Sequence, residues 1–196
     1  MNGKQRISAV ILAGGQGRRM GCVDKGLVAL QGKPMVAWVL ERVRPQVDEV
    51  LISANQNLEQ YREFGVPVFS DAIGGFAGPL AGLHAGLAHA AHPLVVTAPC
   101  DSPFLPDDLV ARLADALEAA DADLAVARTF EQSHPVFCLC RREALPHLAA
   151  FLSSGGRKVD RWYETLKVVP VQFDDQEAAF SNINTREELG TFEQGR

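Results

Sequence analysis

Glycines and basic side chains are concentrated between residues 12 and 25, in the sequence LAGGQGRRMGCVDK. Arg18, Arg19 and Lys25 place three positive charges within eight residues. Glycines that follow a buried strand allow backbone N–H groups to approach an anion without interference from a Cβ atom. A neutral ligand does not require such a cluster of cations, whereas a triphosphate does. The segment therefore predicts a loop that binds a nucleoside triphosphate.

Two familiar phosphate loops do not fit this segment. A Walker loop requires Gly-x-x-x-x-Gly-Lys-Ser/Thr, which no window contains. A dinucleotide fingerprint requires Gly-x-Gly-x-x-Gly, but Met20 stands where the third glycine belongs. The acidic residue that such folds place after the second strand is replaced by Ser53, Ala54 and Asn55. Nicotinamide binding is thus disfavoured.

Two aspartates follow predicted strands and are candidates for the same site. Asp101 lies between Pro99 and Pro103, which stiffen its turn. Because Mg²⁺ prefers one or two protein carboxylates together with phosphate oxygens and water, we expect Asp101 to ligate Mg²⁺. Asp71 could contact the ribose or base in the same cleft. The alternative for both residues is a structural aspartate that closes a strand into a turn.

The apolar pattern predicts strands that alternate with helices, which is typical of βαβ units and a mostly parallel sheet. The fold expected is α/β, a Rossmann-like three-layer αβα sandwich forming a single domain over residues 1–196, with some antiparallel strand in its C-terminal half. The predicted strands are 7–12, 49–54, 66–70, 94–98, 123–128, 135–139 and 168–173. The predicted helices are 35–43, 80–91, 105–120, 143–151, 159–166 and 185–192.

Sheets of this kind bind ligands at the carboxyl ends of their strands. The candidate residues follow the strands in that manner. They are Gly14 and Gly15 after the first strand, Ser53 and Asn55 at the second, Asp71 after the third and Asp101 after the fourth.

Composition excludes several functional classes. The formal net charge is −5, which argues against a general nucleic-acid binder. No apolar run approaches the ~18–20 residues of a membrane span, and the polar N-terminus does not look like a signal peptide, so we expect a cytoplasmic protein. Cys138 and Cys140 are interpreted as buried strand residues rather than zinc ligands. His134 could line the cleft, although a structural role is the alternative.

Taken in order, these segments resemble the molybdenum cofactor guanylyltransferases, and the likeness runs nearly end to end. The motifs that carry the likeness are LAGG at 12–15, GRRMG at 17–21, DKG at 24–26, GKP at 32–34, Asp71, GPLAG at 78–82, PCDSP at 99–103, His134-Pro135, and NINT at 182–185 before EEL at 187–189. Two departures are Cys22, in place of a usual glycine, and Ser53, where an asparagine is expected.

The resemblance implies transfer of GMP from GTP to molybdopterin, with release of pyrophosphate. By it, the nucleotide-binding residues are Leu12, Ala13, Gly14, Gly15, Lys25, Ser53, Asn55, Asp71 and Asp101. Asp101 also holds Mg²⁺, while Asn182 and Asn184 lie near the pterin. Asp101, Lys25 and Arg19 are the expected catalytic residues, because catalysis between two polyanions depends on neutralising charge.

Two alternatives stay open. One is the same chemistry with another base or acceptor, as in cytidylyltransferases and sugar-phosphate nucleotidylyltransferases. The other is a non-catalytic carrier of a finished dinucleotide cofactor. If the protein is a guanylyltransferase, as the resemblance implies, GTP and molybdopterin are its small-molecule partners. Transient contact is then expected with other proteins of molybdenum cofactor biosynthesis and with recipient molybdoenzymes.

Overall fold

A seven-stranded sheet forms the centre of the molecule, in the spatial order β5-β4-β1-β6-β8-β7-β9. The computed structural model describes residues 5–14, 24–71, 78–183, 185 and 187–190. The strands of this sheet are β1 (Ile7–Leu12), β4 (Glu49–Ser53), β5 (Val68–Phe69), β6 (Leu94–Pro99), β7 (Leu124–Thr129), β8 (Gln132–Arg141) and β9 (Val168–Gln172). Strands β2 (Ala29–Leu30) and β3 (Lys33–Pro34) form a separate hairpin.

The direction of the strands brings most carboxyl ends to one edge. Strand β1 pairs in parallel with β4 and β6, and β4 pairs in parallel with β5. Strand β8 runs antiparallel to both β6 and β7, so β7 again runs parallel to β6. The mostly parallel sheet with an antiparallel strand in the C-terminal half is confirmed. At one edge of the sheet β1, β4, β5, β6 and β7 all end, and β8 begins.

Helices cover both faces of the sheet, which confirms the three-layer α/β prediction. They are α1 (Met35–Val43), α2 (Leu58–Arg62), α3 (Pro79–His89), α4 (Leu109–Ala119), α5 (Leu145–Ser153) and α6 (Val159–Tyr163). Alternate residues of β1 point to opposite faces, as strand geometry requires. Ile11 packs in the core that includes α1 and α4, whereas Val10 packs in the core that includes α3, α5 and α6.

The β2–β3 hairpin and α2 were not predicted. The two-residue turn of the hairpin, Gln31 and Gly32, has positive φ at both positions (53° and 78°), as tight hairpin turns require. The hairpin residue Leu30 packs with Met35 and with Ile183 from the C-terminal segment. Helix α2 has only five residues, too few for a helical apolar period to be visible.

Other boundaries are close to the predictions. Strand β1 and helix α1 coincide with them. Helix α4 begins at Leu109 rather than at residue 105, so Asp107 and Asp108 precede the helix instead of occupying its first turn. A capping box stands at the start of the predicted C-terminal helix, since Thr185 Oγ1 accepts from Glu188 N and Glu188 Oε2 accepts from Thr185 N. None of the helices within the described part of the chain has the length and apolarity to cross a membrane.

Candidate active site

An ion pair joins the glycine-rich loop to the tip of β6. Lys25 Nζ donates a hydrogen bond to Asp101 Oδ2 at 2.9 Å. The two side chains are only 19 % and 11 % exposed. Lys25 begins a 3₁₀ turn, Lys25–Leu27, and Asp101 follows β6. The structure thus brings together two of the predicted catalytic side chains, from positions 76 residues apart.

The turn that carries Lys25 is anchored by Asp24. Asp24 accepts hydrogen bonds from Tyr61 Oη at 2.5 Å and from Asn57 Nδ2 at 3.0 Å. Tyr61 is fully buried in α2. Burial, the neighbouring Cys100 and the bond to Asp24 raise the pKa of Tyr61, so its hydroxyl stays protonated and donates. Asp24 therefore positions Lys25 through the backbone turn that both residues share.

Gly26 must be a glycine because the chain passes close to this anchor. A Cβ atom at residue 26 would overlap Tyr61 Oη and lie 3.2 Å from both Cβ and Sγ of Cys100. Cys100 is buried next to Asp101, and burial raises its pKa, so it is a neutral packing residue here. The close packing of Gly26 against Tyr61 and Cys100 therefore fixes the position of the neighbouring Lys25 relative to the end of β6.

Asn55 and Asp71 form a reciprocal pair at the ends of β4 and β5. Asn55 Nδ2 donates to Asp71 Oδ2 at 2.8 Å, and Asp71 N donates to Asn55 Oδ1 at 3.1 Å. A Cβ atom at Gly14 would lie 3.1 Å from Asn55 Nδ2, so the exposed Gly14 backbone packs against this amide. The two predicted nucleotide-binding residues therefore lie beside the start of the glycine-rich loop.

Leu12, Ala13 and Ser53 form the floor of this region. Ala13 N donates to Ser53 O at 2.7 Å, and Cys100 N donates to Leu12 O at 3.1 Å, so these backbone groups continue the sheet. Ser53 is 3 % exposed, and its Oγ would lie 3.4 Å from a Cβ atom at Gly82 of α3. Ser53 lies beneath α3, and its direct contact with a nucleotide stays a prediction.

The C-terminal segment is tied to the Asp101 loop. Ser102 Oγ donates to Asn182 Oδ1 at 2.5 Å, and Ile183 N donates to Asp101 O at 2.9 Å. Asn182, predicted from the resemblance to lie near a pterin, is thus hydrogen-bonded to the residue that follows Asp101. Gly15, Arg19 and Asn184, the other predicted site residues, lie outside the described residues.

A cavity of about 410 Å³ opens beside this segment. Its lining comes from the end of β6, the β7–β8 hairpin and the 3₁₀ segment Asp174–Phe180. The lining residues are Pro99, Thr129, Gln132, Ser133, His134, Pro135, Val136, Phe137, Glu177, Phe180, Ser181 and Asn182. The sequence singled out His134 and Asn182 as site residues. Pro99 and Pro135 lie in family motifs but were given no part in a cavity, and the other lining residues carry no motif of their own.

The described residues fit a metal ion brought by a nucleotide better than a resident one. Among them, no group of three or more His, Cys, Asp or Glu side chains is arranged to hold a metal. A single carboxylate such as Asp101 suffices for Mg²⁺ when phosphate oxygens and water supply the remaining ligands. Cys138 and Cys140 are buried in β8 within the apolar core, as predicted.

Comparison with known proteins decides the family. The family model described as "MobA-like NTP transferase domain" matches residues 9–168. A molybdenum cofactor guanylyltransferase of Cupriavidus necator is 53 % identical over 198 residues, which cover 98 % of this chain and 99 % of the relative. The chain belongs to the molybdenum cofactor guanylyltransferase family. It is a nucleotidyltransferase.

Solved structures agree with membership of the guanylyltransferase family. Molybdopterin-guanine dinucleotide biosynthesis protein A from Archaeoglobus fulgidus has a TM-score of 0.78 and 27 % identity, with 95 % of this chain and 97 % of that chain covered. A 4-diphosphocytidyl-2C-methyl-D-erythritol synthase from Anaerococcus prevotii shares the fold, with a TM-score of 0.74, 16 % identity, and 97 % of this chain and 98 % of that chain covered. Fold alone therefore does not separate guanylyl from cytidylyl transfer, whereas the close relatives do.

Proposed function

We propose that this protein transfers GMP from GTP to molybdopterin, forming the guanine dinucleotide cofactor and pyrophosphate. The observation that carries the proposal is the Lys25–Asp101 pair at the carboxyl edge of β1 and β6. A cation and a carboxylate held together at that edge suit a ligand made of phosphates and a divalent cation. The names of the close relatives supply the base and the acceptor.

The reaction needs no protein nucleophile. The terminal phosphate of molybdopterin has a second pKa of ~6, so it is largely a dianion at neutral pH. One of its oxygens attacks the α-phosphorus of GTP, a new P–O bond forms, and the bond from the α-phosphorus to the bridging oxygen of the β-phosphate breaks. That oxygen leaves with pyrophosphate. Repulsion between two polyanions is the main barrier, so neutralising charge and alignment provide the catalysis.

The chain contributes to each of these requirements. Asp101 would hold Mg²⁺, which neutralises phosphate charge when bound and stabilises the departing pyrophosphate. Lys25, released from Asp101 as phosphates enter, would share that charge with Arg19. The backbone around Leu12, Ala13, Gly14 and Gly15 would cradle the phosphates, while Asn55 and Asp71 would hold the nucleoside. Asn182 would contact the pterin where the segment meets Ser102.

Pyrophosphate release from GTP tests the proposal directly. With purified protein and Mg²⁺, we expect release that depends on added molybdopterin. CTP or UTP in place of GTP should give little product, and product formation with CTP would instead indicate a cytidylyltransferase. A protein that binds GTP but releases no pyrophosphate with molybdopterin present would be a carrier, and this outcome would contradict the proposal.

A further inference from the structure

Three contacts fix the position of the His134 ring at the edge of the cavity. Its Nε2 lies 2.7 Å from Thr129 Oγ1. Its ring stacks on Phe180, with centroids 4.7 Å apart and planes 21° apart. Phe137 meets the same ring edge-on at 6.3 Å. A hydrogen bond on one side and aromatic rings on two others leave the imidazole little freedom to rotate.

An irregularity in β8 produces this position. Val126 of β7 pairs with Cys138, but the next residue, Ala127, pairs with His134, so residues 135–137 are a bulge. Such bulges re-aim side chains and are frequent next to active sites. The freed carbonyl groups have other donors, since Tyr163 Oη donates to Pro135 O at 2.7 Å and Thr97 Oγ1 donates to Val136 O at 2.6 Å. Two buried hydroxyl groups thus hold the bulge in shape.

The lining of the cavity selects a class of ligand. It contains no Lys or Arg among the described lining residues, and its single carboxylate is Glu177. Among these residues a phosphate group would find no cation. Phe137, Phe180 and His134 supply flat apolar walls, and Gln132, Ser133, Asn182 and Glu177 supply polar groups. This chemistry suits a flat, uncharged heteroaromatic ring with N–H donors on its edge, since the carboxylate accepts hydrogen bonds.

The imidazole matches such a ring. Burial lowers the pKa of His134, so the ring is neutral at neutral pH, with one nitrogen that donates and one that accepts. Nε2 is engaged by Thr129. For Nδ1, the described part of the chain offers no hydrogen-bond partner. Because Thr129 holds Nε2, the neutral ring presents Nδ1 in a defined direction, and Nδ1 can distinguish ligands by whether they offer it a matching hydrogen-bond partner.

We propose that His134 is a specificity-determining residue that recognises the ring end of the acceptor through Nδ1, so that the acceptor enters with its ring in the cavity and its phosphate towards Lys25 and Asp101. This inference rests on the proposed function for the identity of the acceptor. It goes further in fixing the direction in which the acceptor binds and the side chain that reads it. Pro99, where the cavity reaches the end of β6, marks the point at which ring and phosphate would meet.

Steady-state kinetics of His134→Ala and His134→Gln test the inference. We expect the KM for molybdopterin to rise about 10-fold, the effect of one hydrogen bond at ~1.4 kcal/mol, with the KM for GTP changed less than about twofold. His92→Gln is the matched control, because His92 lies at the opposite edge of the sheet, before the start of β6. It should leave both KM values unchanged. Thr129→Val should give a smaller rise than His134→Ala, since it frees the imidazole without removing it.

A second measurement separates this inference from the proposed function. 6-Hydroxymethylpterin, which carries the ring but no phosphate, is titrated against each protein and followed by its own fluorescence. The wild type and His92→Gln should bind it, and His134→Ala should bind about 10-fold more weakly. Equal binding by His134→Ala, or no binding by the wild type, would overturn the inference even if GMP transfer proceeds. Absence of GMP transfer with normal pterin binding would contradict the proposed function instead. If His134→Ala unfolds at a lower temperature than the wild type, His134→Gln decides.

Discussion

Lys25 and Asp101 are hydrogen-bonded at 2.9 Å beyond the carboxyl ends of the parallel strands β1 and β6, with most of both side chains shielded from water. Each side chain neutralises the other in the absence of phosphates. By the proposed function, a nucleotide bound with its metal would provide a new partner for both, because phosphate attracts the lysine and the cation attracts the aspartate. The pair therefore keeps the site electrically balanced and ready for exchange.

Loss of the Asp101 carboxylate should abolish most turnover. We expect Asp101→Ala to lower kcat at least ~100-fold, the scale of losing one preorganised electrostatic group. Pyrophosphate release is the measurement. Asp115→Ala, which removes an exposed carboxylate from α4, should retain wild-type kcat. Near-normal turnover in folded Asp101→Ala would refute the assignment of this aspartate to the metal.

Loss of the Lys25 side chain should also impair transfer of the GMP group, because this side chain is expected to neutralise phosphate charge. We expect Lys25→Ala to lower kcat/KM for GTP ~100-fold or more, because a positive charge near the phosphates is lost. Lys167→Ala is the control. Lys167 is exposed and directly precedes β9, the outermost strand on the side of the sheet away from β1. Equal activity of the two variants would show that Lys25 serves only to neutralise Asp101.

Gly26 and Tyr61 should be coupled in stability. A methyl group at residue 26 would overlap Tyr61 Oη, so Gly26→Ala should be strongly destabilising, by ~1–3 kcal/mol as for other overpacked sites. Tyr61→Phe removes the overlapping oxygen. Urea denaturation should therefore show a smaller cost of Gly26→Ala in the Tyr61→Phe background than in the wild type. Additive costs would mean that the clash is relieved elsewhere.

Two glycines of α3 should respond differently to alanine. A Cβ atom at Gly86 would lie 2.7 Å, 3.1 Å and 3.3 Å from Cγ2, Cγ1 and Cβ of Val10, which is stiff because it is β-branched. At Gly82 the nearest atom, at 2.7 Å, is the mobile tip of Leu12. Although alanine is ordinarily ~1 kcal/mol better than glycine in a helix, we expect Gly86→Ala to lower the free energy of unfolding and to lower it more than Gly82→Ala. The reverse order in urea denaturation would contradict this packing argument.

His134 should make stability depend on pH in a defined direction. Burial lowers its pKa in the folded state, so below ~6.5, its ordinary value, the unfolded chain binds more protons at this residue. The folded state therefore loses stability as the pH falls through this window. The difference in unfolding free energy between wild type and His134→Asn should shrink between pH 7.5 and pH 5.5. A difference that is constant with pH would show that His134 titrates alike in both states.

The sequence predicts those parts of the site that are determined by residues adjacent along the chain. Strand β1 was recognised because its apolar run ends at Gly14, and Asp101 because prolines fix its turn. The parallel sheet then implied that both lie at one edge. The direct bond between Lys25 and Asp101 was not foreseen, because each residue was assigned to the ligand and 76 residues separate them.

Features that depend on tertiary packing were missed. Strand β8 begins at Gln132, not at Pro135, because a proline ordinarily marks the limit of a strand and the bulge here accommodates it. Tyr61 stands on a helix too short to show a period. Phe180 closes a 3₁₀ segment that is kinked at Gln176, which no apolar pattern signals. The cavity wall built from such pieces could not be inferred before the fold was known.

Strand β8 runs antiparallel to its neighbours, and its position in the sheet separates the proposed nucleotide site from the proposed acceptor site. By the proposed function, residues that follow β1, β4, β5 and β6 would hold the nucleotide and its metal, whereas β8 and the segment after β9 would shape the cavity for the acceptor. On that division, substitutions in the bulge and the segment that follows β9 should alter which molecule is modified while the phosphate chemistry stays intact. A single sheet architecture can in this way serve many acceptors with one reaction.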